Sequence, residues 1–241
     1  MLILYVKAPF AAYRPFVAGS YRQTSPFIPP TGAYGLLLNL AGIESRLRDP
    51  KLVATAMRDG LPTAKVAIGM LHEPTISRLV QQLHNYPVGN TGKEHAPNTK
   101  GGKYNIKPIT RELLVGIEGY IGLDGNDDLA DSVRLGLARG LSMSRTDGQP
   151  RYGIPFLGDN SLMVDVIEEA HNDDQKPLRA ARWYCPLSRL RQSDGPRPGT
   201  CRMTTWIDRN DMSRTRSDLF APSDATVSIP EETWVQVGPL P

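Results

Sequence analysis

Apolar residues fall in two kinds of pattern along this chain, strand-like alternation and helical recurrence, separated by Pro- and Gly-rich breaks. Leu2–Ala8 alternates and predicts a strand. Pro9–Pro30 keeps no period and reads as a long loop carrying Tyr13, Arg14, Tyr21 and Arg22. Pro29 and Pro30 hold its end extended. Thr31–Arg48 then has almost no polar face, because Leu36, Leu37, Leu38, Leu40, Ala41, Ile43 and Leu47 surround it. This predicts a helix buried on most sides, with Thr31 as N-cap and Gly32 in an open first turn. Gly35 and Gly42 stand seven residues apart, nearly on one side of that helix. Glycine there costs about 1 kcal/mol relative to alanine, so a close neighbour is expected on that side. Two readings stay open: tight packing on a sheet, or a helix start whose free N–H groups receive a phosphate.

Thr63–Leu71 predicts a second strand, and Ile76–Leu83 either its continuation or a helix. Asn85–Pro108 has no periodicity, and its four glycines, three prolines and spaced lysines make it a long loop. A loop of that length inside a domain is usually functional or mobile. Arg111–Leu123 alternates, placing Leu113, Val115, Ile117, Ile121 and Leu123 on one face. Asp127–Leu141 predicts a second helix with acidic residues in its first turn, a Leu129, Val133, Leu137, Leu141 stripe, and Gly140 as terminator. Arg151–Glu169 begins rich in turns and ends as a strand, and Ala181–Tyr184, Met203–Ile207 and Thr226–Val237 supply further strands. The order predicts an α+β fold with the split βαβ, ferredoxin-like core used by RRM-type RNA binders. Residues 1–170 form that core and 171–241 a β-rich appendage packed on it, with no linker between them.

Composition adds one new fact, a segregation of charge beneath a net +3. Ile117–Asp174 holds twelve acidic and four basic residues, whereas Arg179–Arg216 holds nine arginines against Asp194, Asp208 and Asp211. Asn85–Lys107 sets Lys93, Lys100, Lys103 and Lys107 against Glu94. Such blocks suit a protein with a nucleic-acid face and a separate partner face; the alternative is that folding interleaves them and the arginines pair with the acids. No apolar run reaches the ~18 residues of a membrane span. The two cysteines, Cys185 and Cys201, match no metal spacing and make no disulfide framework. The chain reads as cytoplasmic and without a cofactor.

Three segments carry a resemblance. Pro26–Glu44 (PFIPPTGAYGLLLNLAGIE) resembles the CRISPR-associated Cas5 family, RAMP-type subunits of the type I interference complex Cascade. Tyr152–Asp165 (YGIPFLGDNSLMVD) and Thr205–Ser213 (TWIDRNDMS) are similar to the DevS/Myxan-like branch found in type I-B-like systems. Together they span most of the chain at intervals. The resemblance implies a RAMP core, a "thumb" hairpin between the second and third strands at Asn85–Pro108, and a variable C-terminal part. It also implies a non-catalytic subunit that caps the 5′ handle of the CRISPR RNA. Its partners would be the Cascade backbone subunit, the large subunit and, indirectly, target DNA, in defence or transposon-associated systems; no membrane is implied.

Candidate RNA contacts follow from residue chemistry and from this resemblance together. In the thumb, Lys93, Lys100, Lys103 and Lys107 attract phosphates and Tyr104 can stack on bases; the bland alternative is a solvated loop. Tyr13, Arg14, Tyr21 and Arg22 are aromatic–basic pairs before the helix start at Thr31 and Gly32, unless the tyrosines merely cover the core edge. Gly158 and Asn160, with Asp159, form a turn that either approaches RNA backbone or is purely structural. His72, His84, His95 and His171 show no metal spacing. His95, Lys103 and Tyr104 nevertheless share one loop, and metal-independent RNA cleavage needs a base, an acid and a cation. An endoribonuclease acting on precursor CRISPR RNA is therefore one alternative function, and a general single-strand RNA-binding scaffold is another.

Overall fold

The computed structural model describes residues 1–15, 21–47, 56–84, 106–139, 153–171, 177–190, 198–208 and 211–239. Its central element is β7 (Ile106–Asp124), a strand of 19 residues. On one side β7 is flanked first by β1 (Leu2–Ala11) and then by β2 (Tyr21–Arg22). On the other side it is flanked by β5 (Ala64–Met70) and then by β6 (Thr75–His84). The second half of β7 is therefore the centre of the core sheet. Its first half, with β6 and β2, forms an arm.

β8 (Val166–Glu169) closes the sheet on the outer side of β1. The order β8-β1-β7-β5 is antiparallel throughout. With α1 (Pro30–Leu40) after β1 and α2 (Asp127–Ala138) after β7, this is the ferredoxin-like arrangement predicted from the sequence. Beyond β5 the sheet continues through β9 (Ala181–Pro186), β11 (Arg216–Thr226) and β10 (Cys201–Trp206). β12 (Val235–Val237) also pairs with β5, and β3 (Arg46–Leu47) and β4 (Ala56–Met57) form a separate small pair. Residues after 170 thus extend the core sheet itself.

Both helices lie on one face of the sheet. Leu2, Leu4, Val6, Val66, Ile68, Ile121 and Leu123 meet Leu36, Leu37, Leu40, Leu129 and Val133 there in one apolar core. α1 is apolar all round, as its sequence predicts, but it starts at Pro30 and ends at Leu40. Its N-cap is Pro29, with no side-chain cap, so Thr31 does not have the capping role expected of it. Gly42, at φ 71°, ends the helix: its N–H donates to Asn39 O and that of Ile43 to Leu38 O, the Schellman pattern. Nothing lies within 4 Å of a Cβ built on Gly35, so the close neighbour expected there is absent. The close approach is on α2 instead, where a Cβ on Gly136 would stand 2.1 Å from Leu40 O.

The opposite face is covered too. Trp183 lies over Gly69 and Trp234 over Gly122, each ring within about 3 Å of the position a Cβ would take. Tyr120 stacks on Trp183 with centroids 6.3 Å apart. Glu118 fastens the C-terminal region to this face by accepting from Tyr5 Oη at 2.6 Å and from the Arg179 guanidinium. The open sheet face of an RRM-type core is therefore covered here.

Two expected patterns are displaced. Ile117, Ile121 and Leu123 face the helices as predicted, but Leu114 joins them in place of Leu113 and Val115. Gly116, at φ 73°, turns the strand over between the two halves. β11 carries Arg216, Ser217, Asp218 and Pro222, a composition that hid it from periodicity. Pro222 is tolerated because the register shifts between it and Ala225.

Candidate nucleic-acid interface

Three sequence segments meet where β1 leaves the sheet. Ala12 donates its N–H to Leu157 O at 3.2 Å, joining the end of β1 to the hairpin around Phe156 and Met163. Tyr13 donates its N–H to Thr24 Oγ1 at 3.0 Å and accepts from Ser25 N at 2.7 Å. Its ring passes between the start of α1 and the hairpin, 2.9 Å from the Cβ position of Gly32 and 2.9 Å from that of Gly158. Tyr13 is 4% exposed, so it packs these segments together and offers no surface for stacking. That corrects its expected role as an RNA contact. Its hydroxyl is buried without a partner among the described residues, and burial pushes its pKa well up.

Gly158 holds a tight turn at φ 81°, with Asp159 next to it. Asp159 Oδ1 accepts from Ser161 N at 3.1 Å and Ser161 Oγ at 2.7 Å, and Oδ2 accepts from Arg111 at 2.6 Å. Burial disfavours the charge, but Ser161 and Arg111 outweigh it and hold the carboxyl at about 2. Arg111 is 9% exposed and lies beside Arg22 in the parallel pairing of β2 with β7. Arg14 follows the buried Tyr13 and is exposed. Partial burial and then the charges of Arg22 and Arg111 lower its pKa, while Asp159 raises it. Arg111 is thus bonded to the carboxylate, Arg14 feels it at longer range, and Arg22 adds a third guanidinium to the corner. Neither Arg14 nor Arg22 has a hydrogen bond or ion pair among the described residues, so this corner holds two uncommitted positive charges.

A pH effect follows. Asp159 is held below the 3.8 of a free carboxyl, so its stabilisation is complete above that value and lost as pH falls towards 2. Asp159→Asn should abolish an acid-side component of stability on the order of 2 kcal/mol between about pH 4 and pH 2. Urea midpoints of both proteins across that range check it.

Tyr21 and Arg22 are neighbours in β2, so their side chains leave on opposite faces. Tyr21 Oη donates to Glu112 Oε1, whose other oxygen accepts from Thr24 N at 3.2 Å. Arg78, from β6, stands 3.5 Å from Glu112 and places its guanidinium 5.8 Å from the centre of the Tyr21 ring. Burial raises the Glu112 carboxyl, but Tyr21, Thr24 and Arg78 together lower it below its ordinary value.

The other expected contacts are scattered. Gly32 and Gly158 flank Tyr13 as packing positions, Thr31 is half-buried at the start of α1, and Asn160 is exposed in the hairpin. Lys107 lies in β7 opposite Leu83. Lys93, Lys100, Lys103 and Tyr104, and His95 with them, lie outside the described residues. Among the described residues, three C-terminal arginines have partners within the chain: Arg189 donates to Trp234 O at 2.6 Å, Arg216 to Gly238 O at 3.3 Å, and Arg214 pairs with Asp211. Arg179 pairs with Glu118 of the acidic block, so here folding interleaves the charges. Arg78, Arg111 and Glu112 were missed as site residues. The signal was present in Arg111-Glu112, two adjacent opposite charges at the head of an alternating apolar run.

Among the described residues no three His, Cys, Asp or Glu side chains group as metal ligands, and no helix is long and apolar enough to cross a membrane. Residues 1–145 match the family described as CRISPR-associated protein (Cas_Cas5). The chain is similar in fold to a solved "CRISPR RNA-guided surveillance complex" chain, at 12% identity and TM-score 0.56, over 92% of this chain and 89% of that one. A second structure, "Crystal structure of Cas protein", aligns over 96% of both chains at 12% identity and TM-score 0.46. No curated protein matches.

Proposed function

From a chain that belongs to the CRISPR-associated Cas5 family, we propose a non-catalytic Cascade subunit of a type I system that holds the 5′ handle of the CRISPR RNA. The observation that carries this reading is the pair of uncommitted guanidiniums, Arg14 and Arg22, beside the Arg111–Asp159 pair. Two positive charges with no bonded counter-ion suit successive phosphates of a single strand. The closed outer face of the sheet supports the same corner, because it directs RNA to the loops and the arm. The name of the structure similar in fold supports a Cascade setting, with CRISPR RNA and neighbouring subunits as partners. Base pairing would read the target, and this protein would hold the RNA by its backbone and shape. The Cascade backbone and large subunits would dock elsewhere on the chain, and target DNA would be reached only through the RNA.

Affinity for a repeat-derived single-stranded RNA tests this. Each phosphate that a protein ceases to neutralise lowers the slope of log K against log salt by about 0.7. Arg14→Ala and Arg22→Ala should each remove about that much, and the double variant about twice it. The RNA should stay intact in the same mixtures with EDTA present. An unchanged slope would sink the assignment of this corner, and site-specific cleavage would make the chain an endoribonuclease.

A further inference from the structure

Tyr21 and Arg78 lie on the face of the arm opposite Arg22. Tyr21 is 38% exposed, an aromatic ring left in water at the edge of a three-stranded sheet. Its orientation is nevertheless fixed. The phenol is bonded to Glu112, a carboxylate only 8% exposed that is held in turn by Thr24 N at 3.2 Å. Arg78 overhangs the ring with its side chain 67% exposed and stands 3.5 Å from Glu112. The ring is rigid and the guanidinium is loosely tied.

From this geometry we propose that Tyr21 and Arg78 form a seat for one unpaired nucleobase of single-stranded RNA, an inference that rests on the RNA-binding reading above. A flat heterocycle stacks on a phenol ring and on a guanidinium plane alike, and neither surface selects among bases. The Glu112 carboxylate beneath the ring disfavours a phosphate here but not a neutral base. Arg22, one residue along the same short strand, turns to the other face beside Arg111. An RNA strand crossing the edge of β2 would therefore lay a base on Tyr21 and bring a phosphate to Arg22. Glu112 is a positioning residue in this scheme: it holds Tyr21 and does not touch the RNA.

The test uses the whole chain and a repeat-derived single-stranded RNA carrying 2-aminopurine at one position at a time. With wild-type protein, fluorescence should be quenched at one position within the bound segment. Tyr21→Ala and Arg78→Ala should weaken binding, Tyr21→Ala by about 5- to 100-fold, with the Tyr21→Ala salt slope unchanged. Arg22→Ala should lower the slope and leave the quenching in place at saturating protein. Tyr21→Phe keeps the ring and loses its anchor, so it should recover most of the affinity that Tyr21→Ala forfeits. Melting curves of each variant exclude unfolding as the cause. Salt-dependent binding with no quenched position, or with Tyr21→Ala binding as wild type does, would overturn the base seat and leave the RNA reading standing. No binding by the wild type would overturn both.

Discussion

Trp183→Ala should lower the melting temperature by about 10 °C, the largest effect expected of a single change in this fold. Trp183 is 1% exposed and roofs Gly69 on the face of the sheet away from the helices. Truncating a buried tryptophan costs about 3–5 kcal/mol, because the cavity closes only in part. Here the far wall is strand backbone at Gly69, which carries no side chain to fill the space. Thr226 O also loses the indole N–H that reaches it at 3.2 Å. For a chain of this size each kcal/mol moves the midpoint by about 2–4 °C. Calorimetry would decide it, and a shift of only a degree or two would mean that the aromatic cover is not structural.

Gly158→Ala should be nearly as damaging, and for a different reason. The residue sits at φ 81°, and a Cβ there would stand 2.0 Å from Ala12 O and 2.9 Å from the Tyr13 ring. Left-handed backbone disfavours alanine by about 1 kcal/mol, and the clash is with main chain, which cannot rotate away. Forced repacking adds about 1–3 kcal/mol. The shift would carry Asp159 away from Arg111, so RNA affinity should fall along with the urea midpoint. Gly153→Ala is the matched control, since nothing lies within 4 Å of its Cβ position. Equal behaviour of the two variants would refute the close approach.

The core was legible because its elements are strongly patterned. Leu2–Ala8, Thr63–Leu71 and Asp127–Leu141 each announce a period, and each forms the expected element within a few residues. The slip in Arg111–Leu123 came from Gly116, since alternation is counted on the assumption that the backbone never turns over. The site was legible only as segments. Arg14 and Arg22 could be named from the sequence, but their company could not, because Arg111 and Asp159 come from 89 and 137 residues beyond Arg22. Tyr13 and Tyr21 look alike in an irregular loop, and only the fold decides that one is a packing wedge and the other an exposed ring. Arg78 was concealed in a segment whose own identity, strand or helix, the pattern left open.

β7 belongs to both the core and the arm, and this limits how the arm can change in length over evolution. Insertions in the sequence connecting β6 to β7 leave the paired register alone. A single residue inserted or deleted between Glu112 and Val115 would invert everything on its far side. Arg111 would then leave Asp159, and Glu112 would leave Tyr21. Relatives that keep these two pairs should therefore vary in arm length at the tip, or by even steps within the strand. An odd step would survive only with a second left-handed residue like Gly116 to turn the strand back.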